Sequence, residues 1–303
     1  MTEWKLRTPV AFIVFNRPDK TRRVFAEIAR AKPPKLLIVA DGPRIDRAGE
    51  VERCELTRAV VGHVDWDCEV LTNYSESNLG CKRRVSSGID WVFESVEEAI
   101  ILEDDCLPDQ SFFRYCEELL EKYRHDERVA QISGVNYQKS PPRSECSYYY
   151  SRYNHIWGWA SWRRAWKSYD VNMTLWPRAR DERWLEDMFA DAEQVRKWRR
   201  IFQAVADGKI DTWDYQWTFA CWMNSALTIL PRTNLVSNIG FGAEATHTTG
   251  ASKLSELTTH ELQFPLRHSP FVIRDARADA FTEKFEREPM ARRILNRLDW
   301  ARM

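Results

Sequence analysis

The sequence predicts an α/β fold with a mixed, mostly parallel central sheet flanked by helices, and three observations carry that prediction. Short apolar runs, Val10–Phe15 (VAFIVF), Leu36–Ala40 (LLIVA) and Ala99–Leu102 (AIIL), lack polar alternation, as expected of strands buried on both faces. Between them lie segments with helical spacing, so strand and helix alternate as in stacked βαβ units. Each run then gives way to polar and charged residues, which gathers reactive groups at one rim of a sheet.

Element by element, Pro18–Ala31 reads as a helix opened by proline, whose missing N–H is harmless there. A polar stretch after the second strand leads to a helix over Glu50–Val61. The strand Cys68–Thr72 follows, then a helix from about Leu79 to Val96 and a fourth strand ending at Glu103-Asp104-Asp105. Ser111–Arg124 has an amphipathic helical pattern and Val129–Ser133 reads as a strand; Pro141–Tyr150 is irregular and then aromatic. From Ile156 to Ala226 the chain is Trp-rich and reads as mainly helical, with Glu182–Ala206 the longest helix. Leu227–Leu230 is a short strand, Asn238–Gly250 a Gly-rich loop, and the last thirty residues a helix lying on the body. No internal repeat or low-complexity linker interrupts the chain, which predicts one continuous domain over 1–303, divided near 135 and 250.

Composition narrows the partners. With 303 residues and 44% apolar content the chain can furnish a real core. Forty-five basic residues balance forty-five acidic ones, so no overall field recruits nucleic acid or an anionic membrane. No run approaches the roughly 20 apolar residues a membrane span needs, and the opening MTEWKLRTP has no signal-like stretch; a cytoplasmic protein with at most peripheral membrane contact is expected. The seven cysteines (54, 68, 81, 106, 116, 146 and 221) form no C-x-x-C pair, as expected of reduced, buried thiols. Fourteen tryptophans are unusually many; most are expected to pack, and a few to stack on the apolar faces of sugar rings.

The rim residues carry the chemistry. Glu103, Asp104 and Asp105 repel one another at the end of an apolar strand, and a divalent cation such as Mg²⁺ or Mn²⁺ would relieve that repulsion. One or two carboxylates, with diphosphate oxygens and waters, complete its shell of about six oxygens. By itself EDD reads better as a solvated acidic turn or helix N-cap before Pro108. Lys82, Arg83 and Arg84 fall in the first turn of a predicted helix, where the dipole already favours anions, so cations there point to a bound diphosphate. Asp214 in WDYQW, surrounded by aromatics, suits a general base with a raised pKa and equally a helix N-cap. His247 suits a metal ligand, a phosphate donor or a buried hydrogen-bonded histidine.

The ordered series FNRPDKT, LLIVADGPR, NLGCKRR and AIILEDDCLP, followed by NHIWGWASWRRAW, DTWDYQW and LVSNIGFGAEATHT, resembles the bacterial sugar transferases related to glycosyltransferase family 2, in their hemolysin-like group. More distantly it is similar to eukaryotic β-1,2-N-acetylglucosaminyltransferase. The resemblance spans roughly residues 8 to 250 and implies a GT-A-like fold, with a nucleotide-sugar-binding half (about 8–135), an acceptor-side half (about 136–250) and a helical tail. It implies that Arg17 and Asp41 hold the nucleoside, that Lys82, Arg83 and Arg84 face the base or diphosphate, and that Asp104 lies against the ribose or donor sugar. Asn16, Glu103 and Trp159 complete the donor side. Asp105 and His247 are the implied metal positions, and Asp214 the implied base, with Glu244 and Asp211 in reserve. GAE at Glu244 departs from the more usual GED of that group.

The expected activity is therefore metal-dependent, inverting transfer of a hexose or N-acetylhexosamine from a UDP- or GDP-type sugar to a hydroxyl of a glycan, lipid-linked or protein acceptor, in surface-glycan synthesis. Sugar-phosphate nucleotidyl transfer is the alternative within the fold, although such enzymes carry a Gly-rich loop after the first strand and FNRPDKT has no glycine. A glycan-binding module would not need EDD beside a cationic helix start. A nuclease or phosphatase is disfavoured by neutral charge and the absence of clustered histidines.

Overall fold

The computed structural model describes residues 4–139, 143–240 and 257–285. Its elements in chain order are β1 (Val10–Val14), α1 (Pro18–Ala31), β2 (Lys35–Ala40), α2 (Glu50–Val61), β3 (Glu69–Tyr74), α3 (Gly80–Ser95), β4 (Glu98–Glu103), β5 (Cys106–Pro108), α4 (Gln110–Tyr123), β6 (Val129–Ser133), β7 (Tyr148–Ser151), β8 (Trp159–Trp162), α5 (Arg163–Trp166), α6 (Trp176–Asp181), α7 (Trp184–Met188), α8 (Ala192–Ala206), α9 (Asp214–Met223), β9 (Leu227–Pro231), β10 (Val236–Asn238) and α10 (Ala276–Phe285). The fold is α/β, with a mostly parallel sheet of eight strands in the order β3-β2-β1-β4-β8-β6-β9-β7. β1 to β4 run parallel, β8 lies antiparallel between β4 and β6, and β9 runs parallel to β6 with β7 antiparallel at the edge. β5 and β10 form a separate antiparallel pair.

The apolar runs become central strands because both of their faces are covered. Along β1 and β2 successive side chains alternate between two cores: Val10, Phe12, Val14, Leu36 and Ile38 enter one, Ala11, Ile13, Leu37 and Val39 the other. The first core is closed by Val24, Phe25 and Ile28 of α1 and by Phe112, Phe113 and Leu119 of α4. The second meets α3 through Val85, Ile89 and Phe93, and the Trp-rich helices through Trp198, Phe202, Trp217 and Phe219.

The sequence reading and the structure part at identifiable places. YYYS of β7 and WASW of β8 are expected as irregular and helical chain; both are strands whose side chains are mostly or wholly buried, and a four-residue run buried on both faces has no period that separates strand from buried helix. The expected helix Glu182–Ala206 is two helices. Phe189 is extended (φ −126°, ψ 121°), and the Asp191 side chain accepts a hydrogen bond from Glu193 N at 2.8 Å, restarting the helix as α8. β3 runs two residues past its expected end, as an edge strand with an alternating exposure pattern. Of the Gly-rich loop 238–250, residues 241–250 lie outside the described residues. So do 286–303 of the tail, which begins with α10.

The outer edge, β7, is covered by the chain's own C-terminal segment. Asp275 N donates to Tyr150 O at 2.8 Å beside an isolated parallel bridge between Tyr150 and Arg274. Ser147 N donates to Arg267 O at 2.9 Å, and Arg267 N returns a bond to Ser147 Oγ at 2.9 Å. Buried Asp279 of α10 accepts from Ser151 Oγ and pairs with Arg274 Nε at 3.0 Å, fixing the helix against the strand.

Trp159 is fully buried, with its ring 5.7 Å from and stacked on that of Trp213, and 6.1 Å from Trp166 and Trp217. Trp159→Ala should lower the unfolding free energy by about 3–5 kcal/mol, the range for buried large aromatics cut to alanine. Urea denaturation checks this through the midpoint; a loss under 1 kcal/mol would show the ring to be dispensable for packing.

Candidate functional site

The registers Ile13↔Glu103, Val14↔Ala40 and Ala40↔Tyr74 bring the carboxyl ends of β1, β4, β2 and β3 to a common rim. The segments that follow, Phe15–Pro18, Asp104–Asp105, Asp41–Arg44 and Ser75–Gly80, therefore converge there, as open parallel sheets require of their ligand crevice.

Arg17 sits where β1 turns into α1, and its guanidinium reaches across to the next strand end. Nη1 donates to Asp105 Oδ2 at 2.9 Å and Nη2 to Asp104 Oδ1; Phe15 N adds a bond to Asp104 Oδ2 at 3.3 Å. Burial works against the guanidinium charge, but Asp104, Asp105 and Glu103 outweigh it and raise the Arg17 pKa further. Burial pushes Glu103 and Asp104 above the usual carboxylate range. Neighbouring Asp105 and Asp104 add to the effect on Glu103, and Arg17 opposes it in both groups. Arg17 is thus the charge that lets these acids share one strand end. Arg17, expected to hold the nucleoside, and Asp104, expected against the ribose or sugar, are thus paired with each other at the rim, and Asp104 is 2% exposed.

Asp105 is enclosed by the chain leaving β10. Ile239 N donates to Asp105 O at 2.8 Å, Gly240 N to Asn238 Oδ1 at 2.7 Å, and Lys20 Nζ to Gly240 O at 3.4 Å. A Cβ at Gly240 would stand 2.1 Å from Asp105 Oδ2, so only glycine permits the approach. Among the described residues no group of three or more His, Cys, Asp or Glu side chains is arranged around a metal position. The donor set fits a hard cation held through Asp105, with the rest of its shell from diphosphate and water, provided Arg17 moves aside. His247 and Glu244 lie outside the described residues.

The start of α3 differs from expectation. Its first-turn amides, Cys81 N and Lys82 N, donate to the Asp211 carboxylate at 3.1 and 3.2 Å, so the anion at this helix end is Asp211. Gly80, at φ +78°, makes the turn that brings the two together. Arg84, expected to face the base or diphosphate, is buried and turned back to β3, where Nη2 donates to Asn73 O and Asn73 Oδ1. Lys82 is half-buried and Arg83 exposed, both at the rim. Nothing local in DGKIDTWD announces a residue that caps a helix some 130 positions earlier.

Two further rim groups are fastened to loops. Asp41, expected to hold the nucleoside, is 5% exposed and accepts from Gly42 N (2.9 Å), Leu79 N (3.0 Å) and Asn78 Nδ2 (2.9 Å), which ties the β2 and β3 loops together. Asn16 Nδ2 donates to Glu50 Oε1 at 2.9 Å, and Glu50, fully buried, also accepts from Arg44 N (2.8 Å), Nε (2.9 Å) and Nη2 (2.6 Å). A buried glutamate at a helix start looks in sequence like any first-turn acid, which is why Glu50 escapes the sequence reading.

Asp214 opens α9, one residue beyond the N-cap position, and accepts from Thr212 Oγ1. Its carboxylate lies near enough to Glu103 and to the Cys81 thiol to help raise both pKa values. The indoles of Trp213 and Trp217, on either side of it in sequence, pack against Trp159 and Trp166 in the second core. Trp159, expected on the donor side, is fully buried and packs beneath the start of α9.

No protein-family model matches the chain, and no curated protein does. Solved structures similar to it include 4-diphosphocytidyl-2C-methyl-D-erythritol synthase from Anaerococcus prevotii DSM 20548 (10% identity, TM-score 0.34, covering 63% of this chain and 83% of that one). The inositol-1-phosphate CTP transferase from T. maritima shares 10% identity at a TM-score of 0.41, over 80% of this chain and 94% of that one. UDP-glucose pyrophosphorylase complexed with UDP-glucose shares 11% at a TM-score of 0.28, over 48% and 62%. At these scores the likenesses carry no functional argument.

Hydrogen bonds from Arg44 hold the Glu50 pKa at about 2, below its ordinary 4.5, although burial acts in the other direction. A lowered carboxylate pKa gives stability that is complete above 4.5 and lost as pH falls towards about 2. Glu50→Gln should therefore unfold earlier than the parent at pH 6 and lose less between pH 4.5 and 2. Parallel acid limbs in thermal melts of the two proteins would refute this account of Glu50.

Proposed function

We propose that this chain is a glycosyltransferase that moves a sugar from a nucleoside-diphosphate donor to an acceptor hydroxyl, with inversion. The observation that carries the reading is that the chain entering α9 reaches the rim: Asp211, three residues before Asp214, accepts from Cys81 N and Lys82 N at the start of α3 at 3.1 and 3.2 Å, and Asp214 opens the helix that follows. An inverting transfer needs a base that faces the acceptor from a segment separate from the donor-binding strands.

On this reading the acceptor hydroxyl gives its proton to Asp214 as its oxygen bonds to the anomeric carbon, and the bond from that carbon to the diphosphate oxygen breaks. Lys82 and Arg83 offset the charge of the departing diphosphate, and the transition state has the oxocarbenium character of glycosidases. A Mg²⁺ or Mn²⁺ held by Asp105, when bound, would act as a Lewis acid on the diphosphate oxygens. Glu103, kept largely uncharged by burial beside Asp104 and Asp105, would limit the negative charge facing the donor.

Sugar-phosphate nucleotidyl transfer would use the same crevice. Incubation with sugar phosphates and nucleoside triphosphates, and separately with UDP- and GDP-sugars, discriminates: glycosyl transfer or slow donor hydrolysis supports the present reading. Release of pyrophosphate with formation of a nucleotide sugar would replace it.

Asp214→Asn keeps size and hydrogen bonding but removes basicity. Turnover should fall by about 10²–10⁴-fold with donor affinity retained. Near-normal turnover, or a product with the donor's anomeric configuration, would transfer attention to Glu244. Asp105→Ala should abolish metal-dependent binding of a nucleoside diphosphate while the fold persists; calorimetry with equal affinity in excess chelator would contradict that.

A further inference from the structure

The guanidinium of Arg17 occupies the place where a divalent cation would meet the strand-end acids. It bridges Asp104 and Asp105, and among the described residues no other ion pair involves either carboxylate. Asp104 and Asp105, adjacent at one strand end, share this one guanidinium as their counter-charge. Arg17 holds the N-cap position of α1 at φ −119°, ψ 70° without a side-chain capping bond, its side chain is 19% exposed, and among the described residues its guanidinium bonds only to the two acids. Asp105 Oδ2, its partner, is the oxygen over which the Gly240 backbone closes.

We propose that Arg17 is a built-in occupant of the metal position: it holds the acid pair closed in the free protein, and a divalent cation enters as the guanidinium leaves for the diphosphate oxygens of the donor. This rests on the donor reading above and adds a binding order to it. A metal arriving alone must displace two charge-assisted hydrogen bonds and leave the guanidinium without an anion; a diphosphate supplies that anion, because a guanidinium pairs with phosphate as well as with carboxylate. Metal and nucleoside diphosphate therefore strengthen one another's binding, and reciprocity requires the same factor in both directions.

The test titrates Mn²⁺ alone, then Mn²⁺ with UDP or GDP, into the parent, Arg17→Ala and Arg17→Lys, reading free Mn²⁺ by electron paramagnetic resonance and the melting temperature in parallel. The parent should bind Mn²⁺ weakly alone and on the order of 10-fold more tightly with nucleotide. Arg17→Ala should melt lower in chelator, bind Mn²⁺ alone on the order of 10-fold more tightly than the parent, and regain melting temperature as Mn²⁺ is added. If Arg17→Ala does not fold, Arg17→Lys, which cannot hold both acids bidentately, carries the same comparison. Equal Mn²⁺ affinity of parent and variant without nucleotide overturns the proposal, as does a parent that binds Mn²⁺ equally well with and without UDP or GDP when either nucleotide binds. If neither nucleotide binds any of the proteins, the donor reading fails, and the comparison of Mn²⁺ alone still decides the role of Arg17.

Discussion

Parallel pairing of β1 with β4 sets the chemistry of the rim, because it places a residue of one strand end against the acids of the next. Ile13 opposite Glu103 fixes the register, and Arg17 then falls within reach of Asp104 and Asp105. A slip of one residue would exchange the side chains that β1 sends to its two cores and separate the cation from the acids, so packing and electrostatics select the same alignment. The apolar alternation of β1 between two cores is thus also what makes the acid cluster tolerable.

The second half of the chain contributes through aromatic packing. Trp159, Trp166, Trp213 and Trp217 form one contiguous group below the first turn of α9. Trp217 Nε1 donates to Gln131 Oε1 at 2.7 Å and ties that group to β6. Rigid indoles with few rotatable bonds hold a helix start at low entropic cost, and Asp214 and Asp211 inherit that fixed position. From there Asp211 reaches back to cap α3, which joins the two halves of the rim by backbone hydrogen bonds.

The βαβ rhythm of the first hundred residues was legible because buried strands and amphipathic helices leave different periods in the sequence, and β1, β2, α1, α2 and β4 fall within a residue or two of their expected bounds. The rim was legible for the same reason: polar residues that follow apolar runs converge wherever strands are parallel. What each side chain does there was not legible. Asp41, Arg84 and Arg17 carry charge in a position suited to a ligand, yet each is engaged by loops or acids brought near by tertiary structure alone. Asp211 and Glu50 act through partners that no local pattern identifies. β7 and β8 were missed because tyrosine and tryptophan runs fit a packed helix as well as a buried strand.

The strap over β7 has a consequence for the behaviour of many copies together. An eight-stranded open sheet has two edges, and each unpaired edge offers a row of amides and carbonyls to another molecule. β3 meets this with Glu69, Thr72 and Asn73, a polar and partly charged rim. β7, by contrast, is a tyrosine-rich strand with little polarity of its own, and the segment from Arg267 to Asp279 lies along it. That segment therefore occupies hydrogen-bonding positions on β7 that the strand of another copy would otherwise use.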